Sequence, residues 1–209
     1  LLAGGISTVK VILFTLVLLW AVRLGGYLLV RIGKIGRDKR FDGMRENFWK
    51  FGRFWLLQGI TVWVVLLPSI LFFQTNSENS SFLLFLGVVV WAIGLLVEAI
   101  ADIQKYRFIN NSKNKGKWIA EGLWKYSRHP NYFGEILLWL GVYVFTLQGL
   151  VGLNVLVGLI GPVYIAVLII FVSGIPMLEK AADKRWGDNA LYQEYKKRTS
   201  ILMPFPKKG

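Results

Sequence analysis

Three pairs of polar side chains are spaced to do chemistry at the ends of apolar segments. Each pair has a spacing of four residues: Glu98 with Asp102, Asn131 with Glu135, and Glu179 with Asp183. Side chains at this spacing share one face of an α-helix, where two carboxylates repel unless a cation or a donor lies between them. The pattern predicts either structural ion pairs, with partners such as Lys105, Arg107 or Arg185, or one polar cavity shared by several helices.

The segment RHPNYFGE holds the single histidine of the chain, His129. Pro130 is tolerated in the first turn of a helix, and His129 or Asn131 could cap the free amide groups there. Alternatively, Arg128 and the helix N-terminus form an anion site suited to phosphate. Gly134 would let a ligand or a neighbouring helix approach the backbone. Both a capping role and an anion-binding role fit this segment.

Arg23 lies inside an apolar segment, where a charged side chain is costly and usually functional. It precedes Arg31 by eight residues, so in a helix it would lie about 12 Å deeper. The neighbouring Gly25 and Gly26 indicate close contact with another helix. We therefore expect Arg23 to face the interior of a helix bundle rather than lipid.

Composition limits the chemistry that is available. The chain has no cysteine, which excludes disulfides, thiol nucleophiles and cysteine metal sites. One histidine excludes a multi-histidine metal site, leaving a carboxylate-only site as the sole metal option, and we predict no metal. The net charge of +13 would suggest nucleic acid in a soluble protein. Because the basic residues fall between apolar runs, we predict a bilayer and no nucleic-acid partner.

A bundle of membrane helices must position these side chains. The chain has 209 residues, 55% of them hydrophobic, which is more apolar surface than a soluble domain usually carries. Gly161-Pro162 predicts a kink or a strong tilt. We predict an all-α, polytopic transmembrane domain over residues 1–209. Five stretches are long enough to cross a bilayer, at roughly 9–30, 54–73, 82–102, 132–149 and 152–178.

The distribution of charge predicts how the bundle is oriented. Basic residues concentrate in segments 31–53, 103–130 and 180–208, whereas 74–81 and the turn near Gly149 have none. Five spans place the three basic segments on one side, which the positive-inside rule makes cytoplasmic. The first span then runs inward, and the chain begins with Leu rather than Met, so we expect further helices upstream. The membrane would be a bacterial inner membrane or that of the endoplasmic reticulum.

Three segments of the chain resemble a known family: EAIADIQKYRF, GLWKYSRHPNYFGEILLWLG and YQEYKKRTSILMPFP. They are similar to the C-terminal region of the steroid 5α-reductase superfamily. The resemblance is nearest to an uncharacterised bacterial-type branch related to the sterol C14 and C24(28) reductases. The core NYFGE is its most specific part. RHP followed by an aromatic residue and Gly is shared with a second family, the isoprenylcysteine carboxyl methyltransferases.

The first resemblance implies a membrane enzyme that binds NADPH at the cytoplasmic side and reduces a carbon–carbon double bond of a steroid or other lipid. It associates these residues with the cofactor: Asp102, Tyr126, Arg128, Asn131 and Glu135. It suggests further candidates less specifically: Lys105, Arg107, His129, Tyr132, Glu179 and Arg185. The second resemblance implies S-adenosylmethionine in the same cavity and a prenylated carboxylate substrate.

Charge favours NADPH over the methyl donor. NADPH carries several phosphate charges, which suit arginines and lysines beside a helix N-terminus. S-adenosylmethionine is cationic at sulfur and needs fewer basic partners. The tail TSILMPFP also resembles the reductases, whereas the methyltransferases tend to have paired glutamates where this chain has Glu179-Lys180. A non-catalytic lipid-binding protein is the third interpretation.

The resemblance also bears on the substrate and the proton donor. In steroid reductases a Glu and a Tyr of the N-terminal half polarise the substrate ketone. That Glu would lie upstream of this chain, and Trp20 occupies the place of the Tyr, which argues against a 3-keto steroid. Tyr126 or Tyr132 could donate the proton instead, although tyrosines are also common interfacial anchors. Trp20, Arg23 and Glu98 would line the substrate cavity, which a lipid enters sideways from the bilayer.

Overall fold

The computed structural model describes residues 7–35, 43, 46–76 and 82–205. These residues form helices and no β-strand, with one isolated bridge between Ser127 and Ser200. The prediction of an all-α membrane fold is confirmed. The α-helices are α1 (Thr8–Ile35), α2 (Phe48–Val65), α3 (Leu67–Phe73), α4 (Phe82–Asn110), α5 (Pro130–Thr146), α6 (Leu153–Val167), α7 (Ile175–Trp186) and α8 (Ala190–Arg198).

Fewer helices than predicted are long enough to cross a bilayer. Three described segments qualify, namely Thr8–Val30, Phe82–Asn110 and Leu153–Trp186, and α2 with α3 would make a fourth, bent by 52°. The fourth predicted span forms α5, whose 17 residues extend about 26 Å, less than the roughly 30 Å of a hydrocarbon core. The described residues therefore contain three or four candidate spans rather than five.

The orientation of the bundle stays a prediction. Much of the basic segment 31–53 lies outside the described residues, as do part of segment 74–81 and the last four residues of the tail. The basic segment 103–130 is described in full. It connects α4 to α5 through two short 3₁₀-helices, Ser112–Asn114 and Gly122–Lys125.

The most extensive helix contact joins α4 to α5, because glycines let the two backbones touch. A Cβ built on Gly94 would lie 2.4 Å from the backbone nitrogen of Leu138, and one on Gly141 would lie 2.4 Å from that of Trp91. The contact holds the polar end of α4 against the first turns of α5. Its glycines recur every seven residues on each helix: Gly87 and Gly94 on α4, and Gly134 and Gly141 on α5.

The hydrophobic core lies along this helix pair and takes in one face each of α1, α3 and α6. Trp139 and Phe145 of α5 are fully buried, and Phe72 of α3 packs edge-on against Phe145 with ring centroids 5.8 Å apart. The opposite faces of α1 and α2 expose apolar side chains such as Phe14 and Trp55. Such faces are suited to contact with lipid tails.

An irregular helical turn lies near the C-terminus, and the kink or tilt predicted at Gly161-Pro162 stays a prediction. α6 continues through Gly161 and Pro162. The irregularity lies later, in a π-helical turn over Leu168–Val172, after which the Ser173 N–H donates to the Leu168 carbonyl at 2.9 Å. Turns of this type often occur at functional positions. Here the turn connects α6 to α7, which carries Glu179.

Candidate functional site

Arg23 forms a buried ion cluster with two carboxylates of α4. Its Nη1 donates to Asp102 Oδ2 at 3.0 Å, and its Nη2 pairs with Glu98 Oε1. Glu98 and Asp102 are only 5% and 7% exposed. Arg23 thus faces the bundle, as predicted. The close helix contact predicted at Gly25 and Gly26 is not observed, however, because no described atom lies within 4 Å of a Cβ built on either glycine.

Two residues of α5 complete this group, which we call the Arg23 cluster. Asn131 donates from Nδ2 to Asp102 Oδ1 at 3.3 Å. Glu135, one turn later, lies close enough to Arg23 and Glu98 to interact with both electrostatically. The structure therefore brings Asp102, Asn131 and Glu135 together, three of the residues that the family resemblance associates with a cofactor.

The start of α5 is not capped as the sequence suggested. His129 occupies the N-cap position without a side-chain capping bond, and Asn131 is directed to α4 instead. Gly134 serves the helix contact rather than a ligand, because a Cβ there would lie 2.6 Å from the backbone nitrogen of Glu98. The capping prediction is wrong, and of the two uses foreseen for Gly134 the helix contact is the one observed.

A second polar group forms around Glu179 of α7. Arg128 donates from Nε to Glu179 Oε1 at 3.1 Å and pairs through Nη2 with Oε2 at 3.0 Å. His129 Nε2 lies 2.8 Å from the same Oε1. Arg128 Nη1 also donates to the carbonyls of Lys196 and Thr199. Because its donors are used within the protein, Arg128 joins α5 to α7 and α8 rather than forming the predicted open anion site.

The acidic pairs are bridged by Arg23 and Lys196, which were not predicted as their partners, and the predicted Lys105 acts on Asp102 electrostatically. Lys196 Nζ lies 3.6 Å from Glu179 Oε2 and 2.6 Å from Asp183 Oδ1, so it bridges that pair. Arg23 bridges the pair on α4 in the same way. The expected partner Arg107 is exposed, and the guanidinium of Arg185 lies over the Trp186 ring at 4.7 Å. The sequence allowed either structural ion pairs or one polar cavity shared by several helices. The structure has ion pairs, and they lie in two polar groups that several helices share.

The end of the chain packs on the loop that precedes α5. Ser127 Oγ donates to the Leu202 carbonyl at 2.7 Å, and the Arg128 N–H donates to the Ser200 carbonyl at 2.9 Å. The Tyr195 hydroxyl donates to the Trp124 carbonyl at 2.8 Å. These bonds fix α8 beside the polar group around Glu179 and form one wall of a cavity.

This cavity, the main cavity, has a volume of about 400 Å³ and lies between the end of α4, segment 117–129, α7 and α8. Three aromatic rings contact one another in its wall, those of Trp118, Trp186 and Tyr192, with centroids 5.3 to 6.2 Å apart. Burial raises the pKa of Tyr192 to about 12, so its hydroxyl stays protonated. The size lies within the usual range for ligand sites.

The predicted cofactor residues fall into two neighbouring groups. Five of them line the main cavity: Lys105, Arg128, His129, Glu179 and Arg185. Asp102, Asn131 and Glu135 belong to the Arg23 cluster. Lys105 lies between the groups, since its charge acts on both Asp102 and His129. Arg107 belongs to neither group.

The two candidate proton donors have different surroundings. Tyr126 is 40% exposed and does not line the main cavity. Tyr132 is half-buried, and its ring stacks on that of His129 with centroids 5.7 Å apart. Trp20 packs edge-on against Trp139 at 4.7 Å, beside the Arg23 cluster.

Sequence reasoning missed the aromatic walls and one basic residue of the main cavity. Lys117 lines it together with Trp118 and Trp186. A usable signal was present, because Lys117-Trp118 and Arg185-Trp186 each place a cation beside an indole. Such dipeptides are suited to ligands that combine negative charge with flat rings.

We expect stability to fall with acid because of His129. Burial lowers the pKa of His129 below 6.5, although its hydrogen bond to Glu179 opposes this. The unfolded chain therefore takes up a proton before the folded protein does, and stability is lost as the pH falls through about 6.5. Thermal unfolding should show a larger loss in the wild type than in His129→Gln between about pH 7.5 and 5.5. Equal losses in both proteins would contradict this role.

Comparison with known proteins adds a family but no established activity. Over 46 residues the chain is 41% identical to the "Probable O-methyltransferase ustE" of Ustilaginoidea virens. That stretch is 22% of this chain and only 16% of the relative. No solved structure matches the chain. Residues 1–199 match DUF1295, described as a protein of unknown function, and the chain belongs to that family.

Proposed function

We propose that the protein is a membrane-embedded enzyme that binds NADPH and reduces a carbon–carbon double bond of a steroid or other lipid. The observation that carries the proposal is the main cavity, with basic and aromatic walls directly beside the Arg23 cluster. NADPH, when bound, would supply the hydride, and the protein would supply orientation and exclusion of water. The positive-inside rule would place this end of the bundle in the cytoplasm.

The lining of the main cavity suits a ligand with phosphates and flat rings. Its walls carry the Arg128–Glu179 ion pair and three further cationic side chains, those of Lys105, Lys117 and Arg185. Such a surplus of positive charge favours phosphate groups. The half-buried rings of Trp118, Trp186 and Tyr195 in its wall favour planar bases. A dinucleotide combines both features.

The Arg23 cluster would hold the polar groups at the other end of the cofactor. Asn131 uses one amide hydrogen on Asp102 and keeps further donor and acceptor capacity. It could bond the nicotinamide amide, while the carboxylates of Asp102 and Glu135 could accept from ribose hydroxyls. The cluster lies within the bundle, where a lipid entering sideways from the bilayer would reach it.

Tyr132 is the better candidate for the proton donor. It is half-buried against the ring of His129, whereas Tyr126 is largely exposed outside the main cavity. A donor must reach the reacting carbon in a space from which water is excluded. Tyr132 is the more shielded from water of the two tyrosines.

A methyltransferase is the second candidate function. The 46-residue similarity to a probable O-methyltransferase favours it. The charge of the main cavity opposes it, because a sulfonium ion would be placed among four cations and one already paired carboxylate. Coulomb repulsion in a partly buried site makes that arrangement costly. We therefore rank the reductase first.

Ligand binding discriminates between these functions. We expect NADPH to quench or shift the tryptophan fluorescence of the detergent-solubilised protein saturably, and S-adenosylmethionine to have no such effect. Asn131→Ala should weaken NADPH binding about tenfold, or ~1.4 kcal/mol, because a hydrogen bond within a buried network is lost. Glu135→Ala should weaken it in the same direction.

Asn154→Ala is the matched control, since Asn154 is exposed at the start of α6. Its NADPH affinity should equal that of the wild type. Saturable binding of S-adenosylmethionine alone would replace the reductase by the methyltransferase. Binding of neither ligand would favour a non-catalytic lipid-binding protein.

A further inference from the structure

A second cavity of about 400 Å³ adjoins the main cavity. It lies between the end of α4, the turn over residues 111–117 and the side chain of Arg185. Phe108, Ile109, Lys117 and Arg185 line both cavities, so the two form adjacent compartments of one groove. We call the second compartment the polar cavity.

The polar cavity carries a surplus of positive charge. Lys115, Lys117 and Arg185 line it, and none of the described residues in its walls is acidic. The C-terminus of α4 contributes a partial negative charge of about one half. Three full positive charges outweigh it, so a compact dianion is the ligand that this compartment favours.

The turn that carries Lys115 and Lys117 is fixed to α4 and α7 before any ligand binds. The Trp186 indole N–H donates to the Gly116 carbonyl at 2.7 Å, which joins the turn to α7 beside Arg185. Gly116 has a φ of +85°, a conformation that favours glycine. Asn114 donates from Nδ2 to the Phe108 carbonyl at 3.2 Å, which fixes the turn to α4. A preformed site loses less entropy when it binds its ligand.

We infer that the polar cavity binds a phosphate monoester, and that this is the phosphate on the adenosine 2′ oxygen of NADPH. The second part rests on the proposed function, in which the main cavity takes the remainder of the nucleotide. Lys117 and Arg185 line both compartments and therefore act as specificity residues. They bind the one group that distinguishes NADPH from NADH, and Arg185 can do so bidentately.

The test compares the two nucleotides in nanodiscs of phosphatidylcholine. The affinities of NADPH and NADH are measured for the wild type, Lys117→Ala and Arg185→Ala. Each substitution should weaken NADPH about tenfold more than it weakens NADH, because only NADPH loses the charge-assisted contact to the 2′-phosphate. Lys113→Ala is the control, since Lys113 is exposed on the same turn and lines neither cavity. It should change neither affinity.

Other outcomes separate this inference from the proposed function. Equal weakening of NADPH and NADH would overturn the 2′-phosphate assignment and leave the proposed reductase standing. No binding of either nucleotide to the wild type would overturn both. Phosphatidic acid tests the membrane as the source of the phosphate: if it binds the wild type and not Arg185→Ala, while that substitution leaves the NADPH affinity unchanged, a lipid headgroup is the ligand and the nucleotide assignment fails. Unfolding temperatures recorded in parallel exclude loss of the fold.

Discussion

Gly94→Ala and Gly141→Ala are expected to destabilise the protein strongly, although each introduces the best helix former. In an open helix the change from glycine to alanine stabilises by about 1 kcal/mol. Here the new methyl group would lie 2.4 Å from a backbone nitrogen of the facing helix. The helices must separate along their contact, at a cost of about 3 kcal/mol or more. Thermal unfolding in detergent measures the change.

Gly59→Ala provides the matched control for this result. Gly59 lies within α2, and no described atom is within 4 Å of a Cβ built on it. That variant should be as stable as the wild type or slightly more stable. Equal stability of all three variants would show that α4 and α5 do not approach each other closely. The arrangement of Asp102 opposite Asn131 would then have to be abandoned as well.

Arg23→Met should cost about 3 to 5 kcal/mol, because it leaves two buried carboxylates without their cation. Glu98 and Asp102 both pair with Arg23 in the interior of the bundle. Neutralising them in the combined variant Arg23→Met, Glu98→Gln, Asp102→Asn should restore most of the loss. Chemical or thermal unfolding in nanodiscs provides the measurement.

Arg107→Met removes the same charge from an exposed position on α4. Its stability should stay within about 0.5 kcal/mol of the wild type. If Arg23→Met is as stable as Arg107→Met, the Arg23 cluster does not stabilise the fold as described. The combined variant, if stable, also shows whether a folded protein without these charges still binds the cofactor. NADPH binding by that variant would show that the charges of this cluster are dispensable for the cofactor.

Local patterns in the chain were sufficient for the fold class and for part of the site. Long apolar runs predict membrane helices because the length of a helix and the thickness of a bilayer are both fixed. A charge within such a run predicts a bundle-facing side chain, and Arg23 faces the bundle. Four-residue spacing places Asp102, Asn131 and Glu135 on defined helix faces, and these faces meet.

The number of spans could not be taken from hydropathy. The second apolar stretch forms α2 and α3, bent by 52°, with Pro68 in the first turn of α3. The fourth forms a helix of only 17 residues. Hydropathy reports how apolar a segment is, but neighbouring segments determine where the helix bends and ends.

Pairings between distant segments required the folded chain. Arg128 has a partner in Glu179, 51 residues away, and this bond converts an apparent anion site into a contact between helices. The glycines of α4 and α5 can be recognised as contact residues only when the two helices face each other. The main and polar cavities are lined mainly by α4, α7 and the loop between α4 and α5, so their walls follow from how these elements pack. Spacing determines what one helix can present, whereas only packing determines what it meets.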